Sequence, residues 1–258
     1  MVRSLFYGFA ALFAILAGPV LAQDRVAGER GEVVDVTASG GLIVVTDGGE
    51  RLNVRIAGIR QPDEGEPLHA EANDALRRLA AGQDVALSYE GELRRDRYER
   101  AVAFVAFPGG RDLATSLVTE GWAMVYTTPE ARSGAANLLA LEQAARDAGL
   151  GLWADPAYGV RSADPNTLAL YLDSVQIVEG RVISVGETRD RIYLNFGFDY
   201  RSDFTVSIAV GDTDGFLDAG IDLADMQDRI VRVRGWLHRR NGPMIVIDHP
   251  ERLEIVGP

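Results

Sequence analysis

Apolar and polar positions alternate with period two along much of this chain, and that alternation marks strands. GEVVDVTA (31–38) and LIVVTDG (42–48) carry it on either side of a small-residue turn, Ser39-Gly40-Gly41. Asp47-Gly48-Gly49 then turns the chain into RLNVRIAGI (51–59). The period changes over Leu68–Ala81, where Leu68, Ala72, Ala75, Leu76 and Leu79 fall on one face of an amphipathic helix. Strands are predicted again near 84–90 and 100–107, joined by the charged turn GELRRDRYE, and helices at 111–120 and 134–148. The last helix runs into Ala148-Gly149-Leu150-Gly151-Leu152-Trp153, where glycine suits a helix C-terminus.

After the turn-rich segment DPAYGVRSADPN (155–166) much of the same order returns. A short helix near 167–173 leads to strands at 176–185, 191–196 and 204–210, a helical patch near 214–228, and strands at 229–237 and 243–248. Three strands, a helix and two strands is the order of a five-stranded oligonucleotide/oligosaccharide-binding (OB) barrel. The pattern predicts a mainly β chain with helices: two tandem OB-fold-type five-stranded barrels, the first with two additional C-terminal helices. The domains expected are 23–160 and 161–258, behind a leader at 1–22.

That leader, MVRSLFYGFAALFAILAGPVLA, has one Arg, an apolar stretch from Leu5 to Ala17 and a small-residue end. The stretch is shorter than the ~20 residues that span a bilayer. It reads as a signal peptide cleaved after Ala22, leaving an exported protein, periplasmic or extracellular, with no transmembrane anchor in the mature chain. No cysteine occurs, so disulfides and thiolate metal sites are excluded and packed cores alone must hold the fold.

The formal charge is −12, and all 26 basic residues are Arg. By count, residues 23–160 carry 14 Arg against 22 acids, and residues 161–258 carry 11 Arg against 16 acids. Neither half has the balance of a protein that grips nucleic acid over a broad basic surface by releasing counterions. A local basic patch remains open.

Candidate chemistry gathers in two stretches. In VRIAGIRQPDEGEP (54–67) an apolar run ends in Arg55 and Arg60, followed by the acids Asp63, Glu64 and Glu66. In the second, Arg97 lies inside the spacing Asp96-x-Tyr98-x-Arg100. On residue type alone, these arginines either pair with neighbouring acids or face a phosphate. His69, His238 and His249 are scattered without ligand spacing, so no zinc site is expected. Gly211-Asp212-Thr213-Asp214-Gly215 reads as a turn and helix N-cap. Arg232, Arg234, Arg239 and Arg240 read as outward strand positions, with a polyanion surface as the alternative.

Four stretches in order, VRIAGIRQPD, RRDRYERAVAFV, EGWAMVY and EQAARDAGLGLW, together resemble the staphylococcal-nuclease-like (thermonuclease) family over about residues 31–155. The resemblance implies a barrel enzyme that cleaves DNA and RNA phosphodiesters with calcium. Guanidinium forks and a cation neutralise the charge gathering on phosphoryl oxygens. Arg55 and Arg100 match the family's phosphate arginines, Tyr98 a tyrosine near the phosphate, and Asp63 the glutamate that handles water, one methylene shorter. The metal half departs. The family's Asp-Gly-Asp-Thr hairpin corresponds to Ala38-Ser39-Gly40-Gly41, and its second metal aspartate falls on Arg60.

The resemblance therefore implies catalytic positions Arg55, Asp63 and Arg100, and substrate-binding positions Arg60, Arg97, Tyr98 and Tyr126. It implies no metal ligands and no cofactor, calcium entering only through a rearranged site. Two functions stay open. One is a phosphate, nucleic-acid or partner-binding module with little or no cleavage. The other is an active phosphodiesterase that hydrolyses DNA or RNA with Arg55, Arg100 and Asp63. The partners expected are single-stranded nucleic acid or nucleotides, or a protein. The hairpin region VRVRGWLHRRNGPMIVIDHPERLEIV resembles the small OB barrels that accompany nuclease-like domains in some exported bacterial proteins.

Overall fold

A computed structural model describes residues 25–92 and 94–257. The expected signal peptide at 1–22 lies outside the described residues. The first unit contains β1 (Val26–Val36), β2 (Leu42–Thr46), β3 (Arg51–Ile56), a short β4 (Ile59–Arg60), α1 (His69–Ala80), β5 (Asp84–Tyr89) and β6 (Ala101–Ala106). α2 (Leu113–Thr119), a short β7 (Met124–Val125) and α3 (Ala135–Asp147) follow. Five strands close a barrel in the order β1-β2-β3-β6-β5, with α1 between its third and fourth strands. Alternation decides which side chains fill it: Leu42 and Val44 of β2 and Leu52, Val54 and Ile56 of β3 point inward. Leu76 of α1 and Leu113 and Leu117 of α2 join the same core.

The run predicted as one strand, 51–59, is broken. Gly58, at φ +77°, turns the chain out of the barrel, and β4 pairs instead with β7, Ile59 opposite Val125 and Arg60 opposite Met124. Arg55 and Arg60 thus sit on different sheets.

The second unit contains β8 (Arg161–Ser162), α4 (Pro165–Leu168), β9 (Ser174–Arg181), β10 (Ser184–Glu187), β11 (Arg191–Asn195) and β12 (Thr205–Ala209). It continues with α5 (Thr213–Asp218), β13 (Ile230–Arg240), β14 (Gly242–Ile247) and β15 (Leu253–Gly257). Its sheet has eight strands rather than five, in the order β10-β11-β12-β14-β13-β9-β8, with β15 also paired to β13. β9 and β10, the two ends of the six-strand run β10-β11-β12-β14-β13-β9, are separated only by Val182 and Ile183. Taken as one bent strand, they give the circular order of the first barrel. The single predicted strand 176–185 is bent there, and β8 and β15 are additions the alternation did not announce. The helical patch at 214–228 shortens to α5 and a 3-10 turn at Leu223–Met226. Asp212 makes no side-chain capping bond there, and Thr213 Oγ1 instead donates to the Val210 carbonyl at 2.8 Å.

The units meet along a polar seam. Glu142 of α3 is 0% exposed and Arg234 of β13 is 1% exposed, with Arg234 Nη1 donating to Glu142 at 2.9 and 3.0 Å. Arg234 Nη1 also donates to the Val125 carbonyl at 3.0 Å, and its Nη2 donates to Glu254 at 2.7 Å. Arg232 reaches Gln143 at 2.9 Å and Glu179 at 2.7 Å. Arg232 and Arg234 are therefore not solvent-facing. β13 does turn that face away from its own core, but the first unit covers it. Only Arg239 and Arg240 keep the exposed positions expected of all four.

Candidate functional site

A cleft of about 620 Å³ opens where β3, β4 and the loop before β6 meet. Arg55, Asp63 and Arg100 line it, as do Arg60, Arg97, Tyr98 and Tyr126. The fold thus brings all seven predicted positions to one wall, from segments up to 71 residues apart (126 − 55 = 71). The turn Ser39-Gly40-Gly41 forms another part of the wall, and Val175 and Trp236 come from the second unit.

Arg55 and Arg100 reach the cleft from adjoining strands. β3 runs parallel to β6, with Arg55 opposite Val102, and Arg100 immediately precedes β6. Arg55 alternates with inward Val54 and Ile56, which sends its side chain to the barrel exterior. It is partly buried, and among the described residues no carboxylate lies within ion-pair distance of it. Burial, and then the neighbouring Arg100, lower its pKa from the usual arginine value.

Arg100 is held differently. Asp96 Oδ2 accepts from Arg100 Nε at 2.8 Å and lies 2.7 Å from Nη2. Asp96 Oδ1 also accepts the backbone N–H groups of Tyr98 at 2.9 Å and Arg100 at 3.1 Å. That explains the Asp-x-Tyr-x-Arg spacing: one aspartate shapes the turn and aims the arginine. Tyr98 is 62% exposed, with the Arg97 and Arg100 guanidinium carbons 4.8 and 5.3 Å from its ring centre.

Burial opposes the Asp96 charge, but the bonds from Arg100 and the two amides outweigh it and hold its pKa below the ordinary value. A depressed carboxylate contributes stability above its unfolded pKa and loses it as pH falls through its folded one. Asp96→Asn is expected to cost about 1–2 kcal/mol at pH 7. The gap to wild type should close as pH falls through and below the ordinary aspartate range. Urea unfolding at several pH values measures both.

Arg60 lines the cleft but is already neutralised. Its Nη2 donates to Asp63 at 2.7 Å and to both Glu66 oxygens at 2.7 and 2.8 Å. Burial alone would lower its pKa, yet Glu66 and Asp63 raise it. The acidic loop folds back onto this arginine through Asp63 and Glu66. The Asp63 side chain stays 69% exposed. Tyr126 is fixed from the far side, with the Arg252 guanidinium 4.1 Å from its ring centre and Arg252 Nη2 donating to the Thr127 carbonyl at 2.7 Å. His249 lies buried between Asp248 at 2.5 Å and Thr127 at 2.7 Å, linking the same two segments.

The part of the barrel from β3 onward, with the cleft residues Arg55 to Tyr126, falls within the match to a known family. The model for staphylococcal nuclease homologues matches residues 53–155. An "uncharacterized endonuclease" of Escherichia coli O157:H7 is 31% identical over 141 residues, 55% of this chain and 85% of that protein. The chain belongs to the staphylococcal nuclease family. A second family member, named micrococcal nuclease in Shigella flexneri, is 33% identical over 157 residues, 57% of this chain and 87% of that one. A third relative, named probable endonuclease lcl3 in Pyrenophora tritici-repentis, is 35% identical over 123 residues, 42% of this chain and 43% of that protein.

Reading for family motifs missed Asp96 as the arginine clamp, Arg252 behind Tyr126, and Trp236. One signal for Trp236 was present: a large aromatic at an outward position of an alternating strand. Among the described residues, no helix is long and apolar enough to cross a membrane.

Proposed function

We propose that this nuclease-family protein binds the phosphodiester backbone of single-stranded nucleic acid in the cleft and does not hydrolyse it by the family's calcium chemistry. The observation that carries the reading is Arg55. A partly buried cation without a carboxylate partner is costly in isolation. Beside Arg100 it forms a two-pronged site that a phosphate would complete. Charge favours it locally: counting Glu66, which pairs with Arg60, the four cleft arginines still face only three acids in a chain of −12.

Calcium requires six to eight oxygen ligands, largely carboxylate and carbonyl. The residues present do not fit it. Gly40 and Gly41 offer no side-chain oxygen, Arg60 stands at the second ligand position, and both cleft aspartates are engaged by arginines. Export through residues 1–22 belongs to the same proposal, as does residence in the periplasm or outside the cell.

One observation favours the rival reading of an active phosphodiesterase. Asp63 shares the cleft with both arginines and keeps one face open to water, and relatives carry endonuclease names. Single-stranded DNA and RNA incubated with residues 23–258 in calcium, magnesium and EDTA separate the two. The expected result is equal binding and no cutting in all three. Arg100→Ala should weaken binding and reduce the slope of log K against log salt by about 0.7, the share of one phosphate contact. Calcium-dependent cutting that disappears in Arg100→Ala would replace binding by catalysis as the function.

A further inference from the structure

The second unit supplies a wall of the first unit's cleft. Trp236 of β13 and Val175 of β9 are directly opposite each other in the antiparallel ladder, and both line the cavity that holds Arg55 and Arg100. Trp236 is 48% exposed, although it shares its strand face with buried Arg234 two residues before it. The seam that buries Arg234 against Glu142 therefore carries the indole to the rim of the cleft.

We infer that Trp236 is a base-stacking residue, so that the second unit completes the nucleic-acid site begun by the first. Resting on the phosphate reading above, this inference adds a base contact supplied by the second unit. The chemistry follows from what the wall offers. Arginines hold phosphates but read no base, whereas an exposed indole in the same cavity presents a flat apolar face of nucleobase size. In a duplex each base face is covered by its neighbours. A single strand can turn one out onto the ring while its phosphates stay on Arg55 and Arg100. Val175, across the ladder, gives the indole an apolar neighbour on that wall. Tyr98, also exposed, lines the same cavity and offers a ring to a second base.

The test uses residues 23–258 in EDTA with two probes, a short oligothymidylate and a strand of equal length with abasic sites throughout. Trp236→Ala is expected to bind oligothymidylate roughly 5- to 150-fold more weakly. Its affinity for the abasic strand should match wild type. Trp236→Phe should recover part of the loss, and oligothymidylate should quench wild-type tryptophan fluorescence more than the abasic strand does. Unchanged oligothymidylate binding by Trp236→Ala overturns the stacking role, and an equal loss on both strands overturns it in favour of a structural one. If wild type binds neither strand, the phosphate reading falls and this inference with it. If Arg55→Ala abolishes both while Trp236→Ala affects neither, only this inference falls.

Discussion

Arg55→Ala is expected to weaken single-stranded oligonucleotide binding by roughly 30- to 1,000-fold, the range for losing a charged contact worth about 2–4 kcal/mol. The same change should make the free protein more stable. Arg55 is partly buried and has no carboxylate at ion-pair distance among the described residues; burial and the Arg100 and Arg252 cations outweigh the longer-range attraction of Asp96, so the folded state gains by losing it. A gain of about 1 kcal/mol corresponds to a rise in Tm of about 2–4 °C for a chain near this size. The opposite signs are what make the pair of measurements informative. Retained affinity would mean that Arg55 meets no phosphate. A fall in Tm would mean that its charge is compensated without ligand. Isothermal titration and differential scanning calorimetry on one preparation give both numbers.

Glu142→Ala is expected to be among the most damaging substitutions in the molecule, costing about 3–5 kcal/mol. Glu142 is fully buried, and its carboxylate serves three donors: the Val125 amide at 2.6 Å, Arg146 at 3.2 Å and Arg234 at 2.9 Å. Removing it leaves Arg234 buried at the seam with Glu254 as its remaining carboxylate. Burial works against the Arg234 charge, but Glu142 and Glu254 together raise its pKa, so the arginine stays charged. The cost is that of under-compensating a buried cation, left with one carboxylate, rather than of losing an attractive pair. Glu142→Leu combined with Arg234→Met should therefore recover most of the loss. Urea unfolding of the single and double variants measures this. Equal destabilisation by the double variant would assign the cost to packing instead.

The seam also bears on function. Arg232, Arg234 and Trp236 occupy alternate positions on one face of β13, and the first unit receives each of them: Gln143 takes Arg232, Glu142 takes Arg234, and the cleft takes Trp236. A loosened seam should displace Trp236 as well. Glu142→Ala is thus expected to reduce the preference for base-bearing over abasic strands, in addition to its effect on stability.

Much of the first barrel was legible in the chain because its causes are local. Period-two alternation places Leu52, Val54 and Ile56 on one side of a strand and Arg55 on the other, whatever lies beyond. The 3.6-residue spacing of Ala72, Ala75 and Leu76 similarly requires a helix with one buried face. The spacing of Asp96, Tyr98 and Arg100 is local too: a side chain that accepts amides two and four residues ahead needs only the turn that it builds. The break at Gly58 was missed because alternation shows that residues are buried, not where a ladder changes partner. That choice belongs to β7, more than sixty residues away (124 − 58 = 66).

The sequence by itself determined the faces of the strands, the spacing of the arginine turn, and the absence of side-chain oxygens at Gly40 and Gly41. What each outward face meets was decided by the tertiary structure alone. Arg60 and Arg55 are alike on paper, both arginines ending one apolar run. One folds against Asp63 and Glu66 and is neutralised, while the other, beside Arg100, has no carboxylate at ion-pair distance and feels Asp96 only at longer range. Likewise Arg234 and Trp236 read alike as outward positions, yet one is sealed against Glu142 and the other opens onto the cleft. The physical reason is range. Backbone geometry sets side-chain direction within a few residues, whereas desolvation and charge pairing depend on whichever distant surface the chain brings opposite.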